Sequence, residues 1–101
     1  MINQVVANEI LRQMGGIGRI SMMTGAKNFV ASENSVVFKI GKGAKNKITN
    51  VKIELNAMDL YDVTFFRVWG TKITTVKKVD GIYNDMLKST FENETGFYLS
   101  F

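Results

Sequence analysis

Basic side chains cluster in two acid-free segments of the chain, and this grouping favours contact with phosphates. The first segment, residues 39–52, holds five lysines and no aspartate or glutamate. The second, residues 67–78, holds four basic residues, again without an acid. Lysine and arginine attract phosphates electrostatically, so both segments indicate a polyanionic partner. The basic residues that we assign to a nucleic-acid-binding site are Lys39, Lys42, Lys45, Lys47, Lys52, Arg67, Lys72 and Lys77.

Two aromatic residues beside the second basic segment could stack on unpaired bases. Phe66 and Trp69 lie in a stretch that predicts a strand, and aromatic rings next to cationic side chains form the usual platform for single-stranded nucleic acid. If Val63 and Phe65 face the core, Phe66 lies on the opposite, wetter face; the inverse assignment stays open. Lysines on the solvent side of strands also protect a sheet from edge pairing, so simple solvation is the alternative interpretation.

A second candidate anion site lies in the glycine-containing segment after the first predicted helix. The glycines at residues 15–18 follow a helix instead of a strand and lack the lysine spacing of a phosphate loop. One interpretation is a helix stop followed by a loop. The other is a concave anion site made of backbone amides and polar side chains. Its residues would be Arg19, Thr24, Gly25, Lys27 and Asn28.

The chain has no cysteine and no histidine, which excludes most familiar catalytic and metal-binding chemistry. A thiol nucleophile, an imidazole base and the usual zinc ligands are all missing. A hydrolase would need carboxylates with magnesium, or a serine, lysine or tyrosine nucleophile. Glu54, Asp59 and Asp62 are the candidate carboxylates, but aspartates in turns usually satisfy local backbone groups. We therefore expect a binding protein, not an enzyme, with no cofactor and no metal site.

The net charge conceals a polarised distribution. The chain has 13 lysine and arginine residues against 9 aspartate and glutamate residues, which gives +4 at pH 7. Residues 80–94 are acidic, with four acids and one lysine. A sheet with a basic outer face and an acidic helix on its other side is the predicted polarity.

Hydrophobic periodicity predicts the elements that would position these residues. Apolar residues at every fourth position predict a helix over residues 3–14, with Asn3 as its N-cap. Residues 20–23, between two glycine turns, predict a short strand or an irregular packed loop. Period-two alternation and β-branched residues predict the remaining strands, and residues 41–47 form a solvated hairpin loop. These strands cover residues 29–31, 35–40, 49–55, 61–69 and 72–79.

The C-terminal part of the chain predicts a second helix. Apolar residues three and four apart indicate a helix over residues 82–93, with Asp80 as a turn residue and candidate N-cap. The apolar residues 97–101 should pack on this helix or add an edge strand. The predicted fold is a single α+β domain, residues 1–101, in which an N-terminal and a C-terminal helix flank one face of a four- to five-stranded, mostly antiparallel sheet.

The sequence contains no apolar run long enough to cross a membrane, and residues 1–6 lack the features of a secretory signal. Six methionines and no cysteine fit a reducing compartment. We expect an intracellular protein that does not bind a membrane.

Five short segments spread along nearly the whole chain carry a resemblance to a known family. The most specific is residues 23–29, Met-Thr-Gly-Ala-Lys-Asn-Phe. The others are residues 10–16 (Ile-Leu-Arg-Gln-Met-Gly-Gly), 59–62 (Asp-Leu-Tyr-Asp), 81–83 (Gly-Ile-Tyr) and 91–96 (Phe-Glu-Asn-Glu-Thr-Gly). Together they resemble a family of short, uncharacterised proteins of tailed phages, prophages and mobile elements. In that family an Asn-Arg/Lys-Phe segment follows the glycine pair, where this chain has Ile-Gly-Arg-Ile. The resemblance implies a phage protein in the cytoplasm of a bacterial host and supplies no mechanism.

Two functions of different classes follow from these patterns. The first is a small non-enzymatic phage accessory protein that binds nucleic acid, in particular single strands, through a basic sheet face, which a homodimer would extend. The second is a protein-binding module, such as an inhibitor of a host defence complex or a virion assembly factor. Its interface would then include the aromatic residues Tyr83, Tyr98 and Phe101.

Overall fold

A computed structural model describes residues 5–97, apart from the side chains of Val5 and Ile17. The chain forms three α-helices and five strands within this range. In chain order these are α1 (Val5–Gln13), α2 (Ile17–Thr24), β1 (Lys27–Ala31), β2 (Ser35–Lys39), β3 (Asn50–Leu55), β4 (Tyr61–Trp69), β5 (Lys72–Ile82) and α3 (Leu87–Thr95). Short 3-10 turns at Lys45–Lys47 and Asn84–Met86 precede β3 and α3. No helix in the described range is long and apolar enough to span a bilayer.

The five strands form one antiparallel sheet in the order β1-β2-β3-β4-β5. Each strand pairs with the next one along the chain, so all the connections are hairpins. Register is continuous across the centre, where Val36 lies opposite Ile53 and Ile53 lies opposite Val63. This topology confirms the predicted α+β fold.

The core lies on one side of the sheet, which we call the covered face. Alternate residues of the three central strands are buried there, as the period-two pattern predicts. These residues are Val36, Phe38, Val51, Ile53, Val63 and Phe65. They pack in one cluster with Ile10, Ile20, Leu87 and Phe91 from the three helices and with Met14, which directly follows α1. The ring of Phe38 lies 5.1 Å from that of Phe29 and 6.2 Å from that of Phe91, measured between centroids. Phe38 therefore joins β1, β2 and α3.

The opposite side, the open face, carries the alternate residues of the same strands. Its central residues are half-buried or exposed, and they are Val37, Lys39, Asn50, Lys52, Thr64 and Phe66. Of the two assignments left open by the sequence, the structure shows the one in which Phe66 faces away from the core, because Val63 and Phe65 are 1% and 0% exposed. Trp69 is four residues after Phe65, so strand alternation places it on the same side as the covered face. It is nevertheless 76% exposed, because β4 extends beyond the start of β3.

The prediction of a strand or loop at residues 20–23 is wrong, because these residues belong to α2. Ile20 is fully buried and Thr24, four residues later, is also buried, so one face of α2 packs on the core. The helix ends at Gly25, whose N–H donates to Ser21 O at 2.9 Å. A short apolar run fits a buried helix and a strand equally well, and here tertiary packing selects the helix.

The C-terminal boundary also differs from the prediction. Residues 80–82 continue β5, so Asp80 is a strand residue, 3.7 Å from Lys78 Nζ, and does not cap a helix. The predicted helix over residues 82–93 instead begins as a 3-10 turn and becomes α3 at Leu87. The register between β4 and β5 shifts twice, so β5 contains irregularities that let it run further than its pattern suggests. Asn3 and residues 98–101 lie outside the described range, while Phe97 packs against the core.

Candidate nucleic-acid interface

Five of the predicted nucleic-acid-binding residues line one pocket at the end of the sheet. The pocket has a volume of about 530 Å³ and is formed by residues 39–44, 47–50 and 67–69. It lies between the lysine loop, residues 41–47 between β2 and β3, and the last residues of β4. The five predicted residues on its wall are Lys39, Lys42, Lys47, Arg67 and Trp69.

The lysine loop is anchored at both ends by buried isoleucines. Ile40 and Ile48 are each 3% exposed, and Ile40 N–H donates to Thr49 O at 2.8 Å. Gly41 N–H donates to Thr24 O at 2.7 Å, which ties the loop to the C-terminal end of α2. The anchors hold the base of the loop while its lysines remain exposed.

Three residues of the lysine loop have positive φ angles. Gly43 has φ 100°, a conformation that glycine adopts without strain. Asn46 and Lys47 have φ 57° and 58°, and the left-handed region is uncommon for a lysine. In the part of the chain that the structure describes, the N–H groups of Lys42 and Gly43 donate no hydrogen bond to a backbone carbonyl. The loop therefore offers free backbone donors beside its lysines.

The charge of the pocket wall has a single sign. Lys39, Lys42, Lys47 and Arg67 are its charged residues, and none of the lining residues is acidic. Arg67 is fixed by a hydrogen bond from its Nη2 to Asn46 O at 2.8 Å. Its Nε is buried and, within the described residues, has no hydrogen-bond partner. A concave wall with one sign of charge concentrates anions.

Trp69 supplies an aromatic surface at the rim. It is the only tryptophan of the chain and ends β4, directly before the two-residue turn Gly70-Thr71. Its partner across the hairpin is Lys72, so the predicted Lys72 lies beside the tryptophan at the tip of the ribbon. The neighbouring pair Val68 and Ile73 is 37% and 67% exposed on the other side of the ribbon.

A chain of hydrogen bonds fixes a polar group in the pocket. Val68 N–H donates to Thr49 Oγ1 at 2.8 Å, and Thr49 Oγ1 donates to Asn50 Oδ1 at 2.7 Å. Because Asn50 Oδ1 accepts this bond, the amide Nδ2 is left as a donor. Sequence reasoning missed Thr49 and Asn50, although two polar residues directly after a lysine-rich loop were a usable signal.

The open face continues from the pocket across the sheet. Lys39 lies opposite Asn50, and Asn50 lies opposite Phe66, so these three residues form one row across β2, β3 and β4. Lys52 follows Asn50 on the same face of β3, opposite Thr64. Phe66 and Lys52 thus adjoin the pocket without lining it.

Two predicted residues lie elsewhere. Lys45 Nζ donates to Asn93 O at 3.1 Å, at the C-terminal end of α3, so this lysine is engaged on the helix side of the molecule. Lys77 lies opposite Phe65, so its position on β5, an edge strand, belongs to the same side of the sheet as the covered face. Alternation along β5 could not locate Lys77 because of the register shift between Phe65 and Phe66.

The second predicted anion site is placed on both sides of the α2–β1 junction. The Thr24 hydroxyl donates to Ile20 O at 2.7 Å, and Gly25 N–H donates to Ser21 O, so both groups complete the end of α2. Arg19, Lys27 and Asn28 are exposed, and Asn28 has φ 58°. This anion site remains a prediction, with Arg19, Lys27 and Asn28 as its exposed side chains.

The three candidate carboxylates lie in or beside the turn between β3 and β4. Glu54 and Asp62 are opposite each other on β3 and β4, and Asp59 lies in the turn between these strands with φ 61°. Asp62 Oδ1 accepts hydrogen bonds from Asn56 Nδ2 at 3.1 Å and from Gly81 N–H at 3.0 Å. Over residues 5–97, no three acidic side chains are grouped so that they could hold a metal ion.

Tyr83 is 63% exposed and the nearby Met86 is 51% exposed, at the start of the α3 region. Tyr98 and Phe101, the other predicted interface aromatics, lie outside the described residues.

Comparison with known proteins found no relative of the chain. No protein family, no curated protein and no solved structure matches the chain.

Proposed function

We propose that this chain is a small non-enzymatic phage accessory protein that binds single-stranded nucleic acid through the pocket and the adjoining open face. The observation that carries the proposal is the pocket wall, where four cations and no acid surround a volume of about 530 Å³ beside an exposed tryptophan. Phosphates are attracted by the cations, and unpaired bases stack on exposed rings. The phage origin rests on the resemblance of residues 23–29 and the other four segments.

A strand entering the pocket could continue along the row of Asn50 and Phe66. Phe66 is half-buried, so part of its side chain remains accessible to solvent. Base stacking on an aromatic side chain is worth about 1–3 kcal/mol per base. Bases in a duplex are stacked on each other, so Trp69 and Phe66 favour single strands over duplexes.

Trp69 gives a direct test, because it is the only fluorophore of its kind in the chain. A short oligothymidylate should quench Trp69 emission, and a duplex of equal length should bind more weakly. Each phosphate contact with a single strand contributes a slope of about −0.7 in a plot of log K against log salt concentration. Four contacts should therefore give a slope of roughly −3 between about 50 and about 200 mM salt.

Matched double variants locate the surface. Lys42→Ala with Lys47→Ala removes two cations from the pocket, and Lys77→Ala with Lys88→Ala removes two cations from β5 and α3. Between about 1 M and about 0.1 M salt, each phosphate contact raises log K by about 0.7, so two contacts contribute about 1.4 log units to the binding constant at about 0.1 M. The pocket variant, which lacks both contacts, should therefore bind about 25-fold more weakly. The control should lose much less. No binding by the parent chain at low salt, or equal losses in both variants, would contradict the proposal.

The alternative, a protein-binding module, is favoured by one observation. Tyr83 and Met86 are large apolar residues that lie within three positions of each other and are both more than half exposed. Aromatic residues of this kind often dominate protein interfaces. Pull-down from a host lysate after nuclease treatment, comparing the parent chain with Tyr83→Ser, separates this function from nucleic-acid binding.

A further inference from the structure

We infer that the pocket holds one nucleotide unit, with its base against Trp69 and its phosphate against the lysine loop. This inference rests on the proposed function and deepens it, because it names the part of the strand that is recognised. A nucleoside monophosphate contains the whole recognised chemistry, whether it is free or part of a strand. The pocket volume of about 530 Å³ falls within the range of about 300–1,000 Å³ that is typical of small-molecule sites.

The pocket lining combines two kinds of chemistry, as a nucleotide does. Its cationic members include Lys42 and Lys47 of the lysine loop. Its apolar members include Ile48, Val68 and Trp69. The lining thus offers apolar surface for a base and cations for a phosphate. A plain electrostatic patch for a polyanion would need only the cations.

Arg67 gives an independent reason to expect an anion here. Its Nη2 is bonded to Asn46 O, whereas its buried Nε has no partner among the described residues. Arg67 as a whole is half-buried, but a buried donor without an acceptor is rare in native structures. The other charged residues of the pocket wall are all cations. A phosphate beside the guanidinium would supply the missing negative charge.

The hydrogen bond from Arg67 to Asn46 also links β4 to the lysine loop. Asn46 and Lys47 both have positive φ, and the Asn46 carbonyl is the acceptor that Arg67 holds. Arg67 therefore connects β4 to the segment that carries Lys47. Binding of a phosphate should stabilise this connection, because the anion would contact both Lys47 and the guanidinium.

Asn50 provides a donor for the edge of the base. Its Oδ1 is occupied by the Thr49 hydroxyl, and the amide Nδ2 remains to donate. A pyrimidine presents carbonyl oxygens that accept such a bond. We therefore use uridine monophosphate as the probe, since it combines a carbonyl-rich base with one phosphate.

The experiment is a titration of the parent chain with uridine monophosphate, uridine and inorganic phosphate, followed by Trp69 emission and by calorimetry. Uridine monophosphate should quench Trp69 emission. Uridine should bind at least about fivefold more weakly, because one phosphate contact contributes about that factor at about 0.1 M salt. Inorganic phosphate should compete with the monophosphate without quenching Trp69. Lys42→Gln should weaken binding of the monophosphate about fivefold, and the control Lys77→Gln should not. Equal binding of uridine and its monophosphate, no competition by phosphate, or equal effects of the two variants would overturn the inference.

Lys42 and Lys77 are both exposed, so neither variant removes a core contact. Arg67→Lys adds a second measurement, because lysine keeps the charge and loses the fork that reaches Asn46. It should weaken binding of the monophosphate while leaving the chain folded. Unchanged binding in Arg67→Lys would exclude the guanidinium as the phosphate partner and overturn that part of the inference.

A parallel titration with oligothymidylate distinguishes failure of the one-nucleotide site from failure of strand binding. If the oligomer binds with a steep salt slope but uridine monophosphate neither quenches Trp69 nor competes with it, the one-nucleotide site is refuted and strand binding stands. If the monophosphate binds and the oligomer binds no more tightly, the free nucleotide is the ligand and the proposed strand binding is refuted. If neither ligand binds, both are refuted.

Discussion

Replacing Gly41 by alanine should destabilise the fold and deform the pocket at the same time. A Cβ atom at this position would lie 2.8 Å from Thr24 O and 3.6 Å from Gly25 Cα. The first distance is shorter than any normal carbon–oxygen contact, and both atoms belong to backbone that cannot rotate away. The lysine loop and the end of α2 must therefore separate, which stretches or breaks the bond from Gly41 N–H to Thr24 O.

The size of the effect follows from three terms. Overpacking costs about 1–3 kcal/mol, and loss of the hydrogen bond costs about 0.5–1.5 kcal/mol. Reduced freedom of the unfolded chain returns about 0.4–1 kcal/mol, since the φ of Gly41 is not positive. The net loss is about 0.5–4 kcal/mol in the free energy of unfolding, and each kcal/mol corresponds to a fall in Tm of about 4–8 °C.

Gly18 offers a control with the opposite sign. It lies in α2, its φ is not positive, and a Cβ there would meet nothing within 4 Å. Gly18→Ala should therefore stabilise the chain by up to about 1 kcal/mol, because alanine is the better helix former. Urea unfolding of both variants, with oligothymidylate binding measured alongside, checks the pair. Equal stability changes in Gly41→Ala and Gly18→Ala would refute the close-contact argument.

Three further outcomes are expected. Phe38→Ala should cost about 3–5 kcal/mol by urea unfolding, because it empties the centre of the core, whereas the exposed Met58→Ala should change stability little. Burial raises the pKa of the Tyr61 phenol, and the negative charges of Glu9 and Asp59 add to the effect. The phenol therefore ionises more easily in the unfolded chain, and the free energy of unfolding should fall as the pH rises above about 10. The fall should be smaller in Tyr61→Phe, which has no phenol to ionise. Lys45→Ala should lower stability by at most about 1 kcal/mol, through loss of its bond at the end of α3, and leave oligothymidylate binding within twofold of the parent, about 0.4 kcal/mol. A binding loss as large as that of the double variant Lys42→Ala with Lys47→Ala would contradict the last expectation.

The strands β3 and β4 were predictable because their buried positions alternate. Val51 and Ile53 alternate with Asn50 and Lys52, and burial of one set determines the faces of the whole strand. The position of Phe66 follows from the same rule once Phe65 is buried. Fold class and the orientation of β3 and β4 are thus properties of local pattern.

The composition of the candidate site was less predictable, because it depends on long-range geometry. Lys45 and Lys47 are two residues apart in one loop, yet Lys45 reaches α3 while Lys47 lines the pocket. The positive φ values of Asn46 and Lys47 separate them, and no pattern of residue types specifies those angles. The role of α2 was hidden for a related reason: Gly18 lowers helix propensity, and only packing of Ile20 on the core compensates.

Three locally unfavourable features meet at this one pocket. Lys47 adopts a backbone conformation that costs about 1–3 kcal/mol outside glycine, Arg67 has a buried donor without an acceptor, and Trp69 places a large apolar surface in water. Each feature alone is compatible with an ordinary domain. Their convergence on a pocket of about 530 Å³ is harder to attribute to folding, because none of the three stabilises the core. Conflicts between local preference and structure are expected at functional sites. A phosphate would place a negative charge beside Arg67, and a base would cover Trp69, so one ligand would relieve two of the three conflicts.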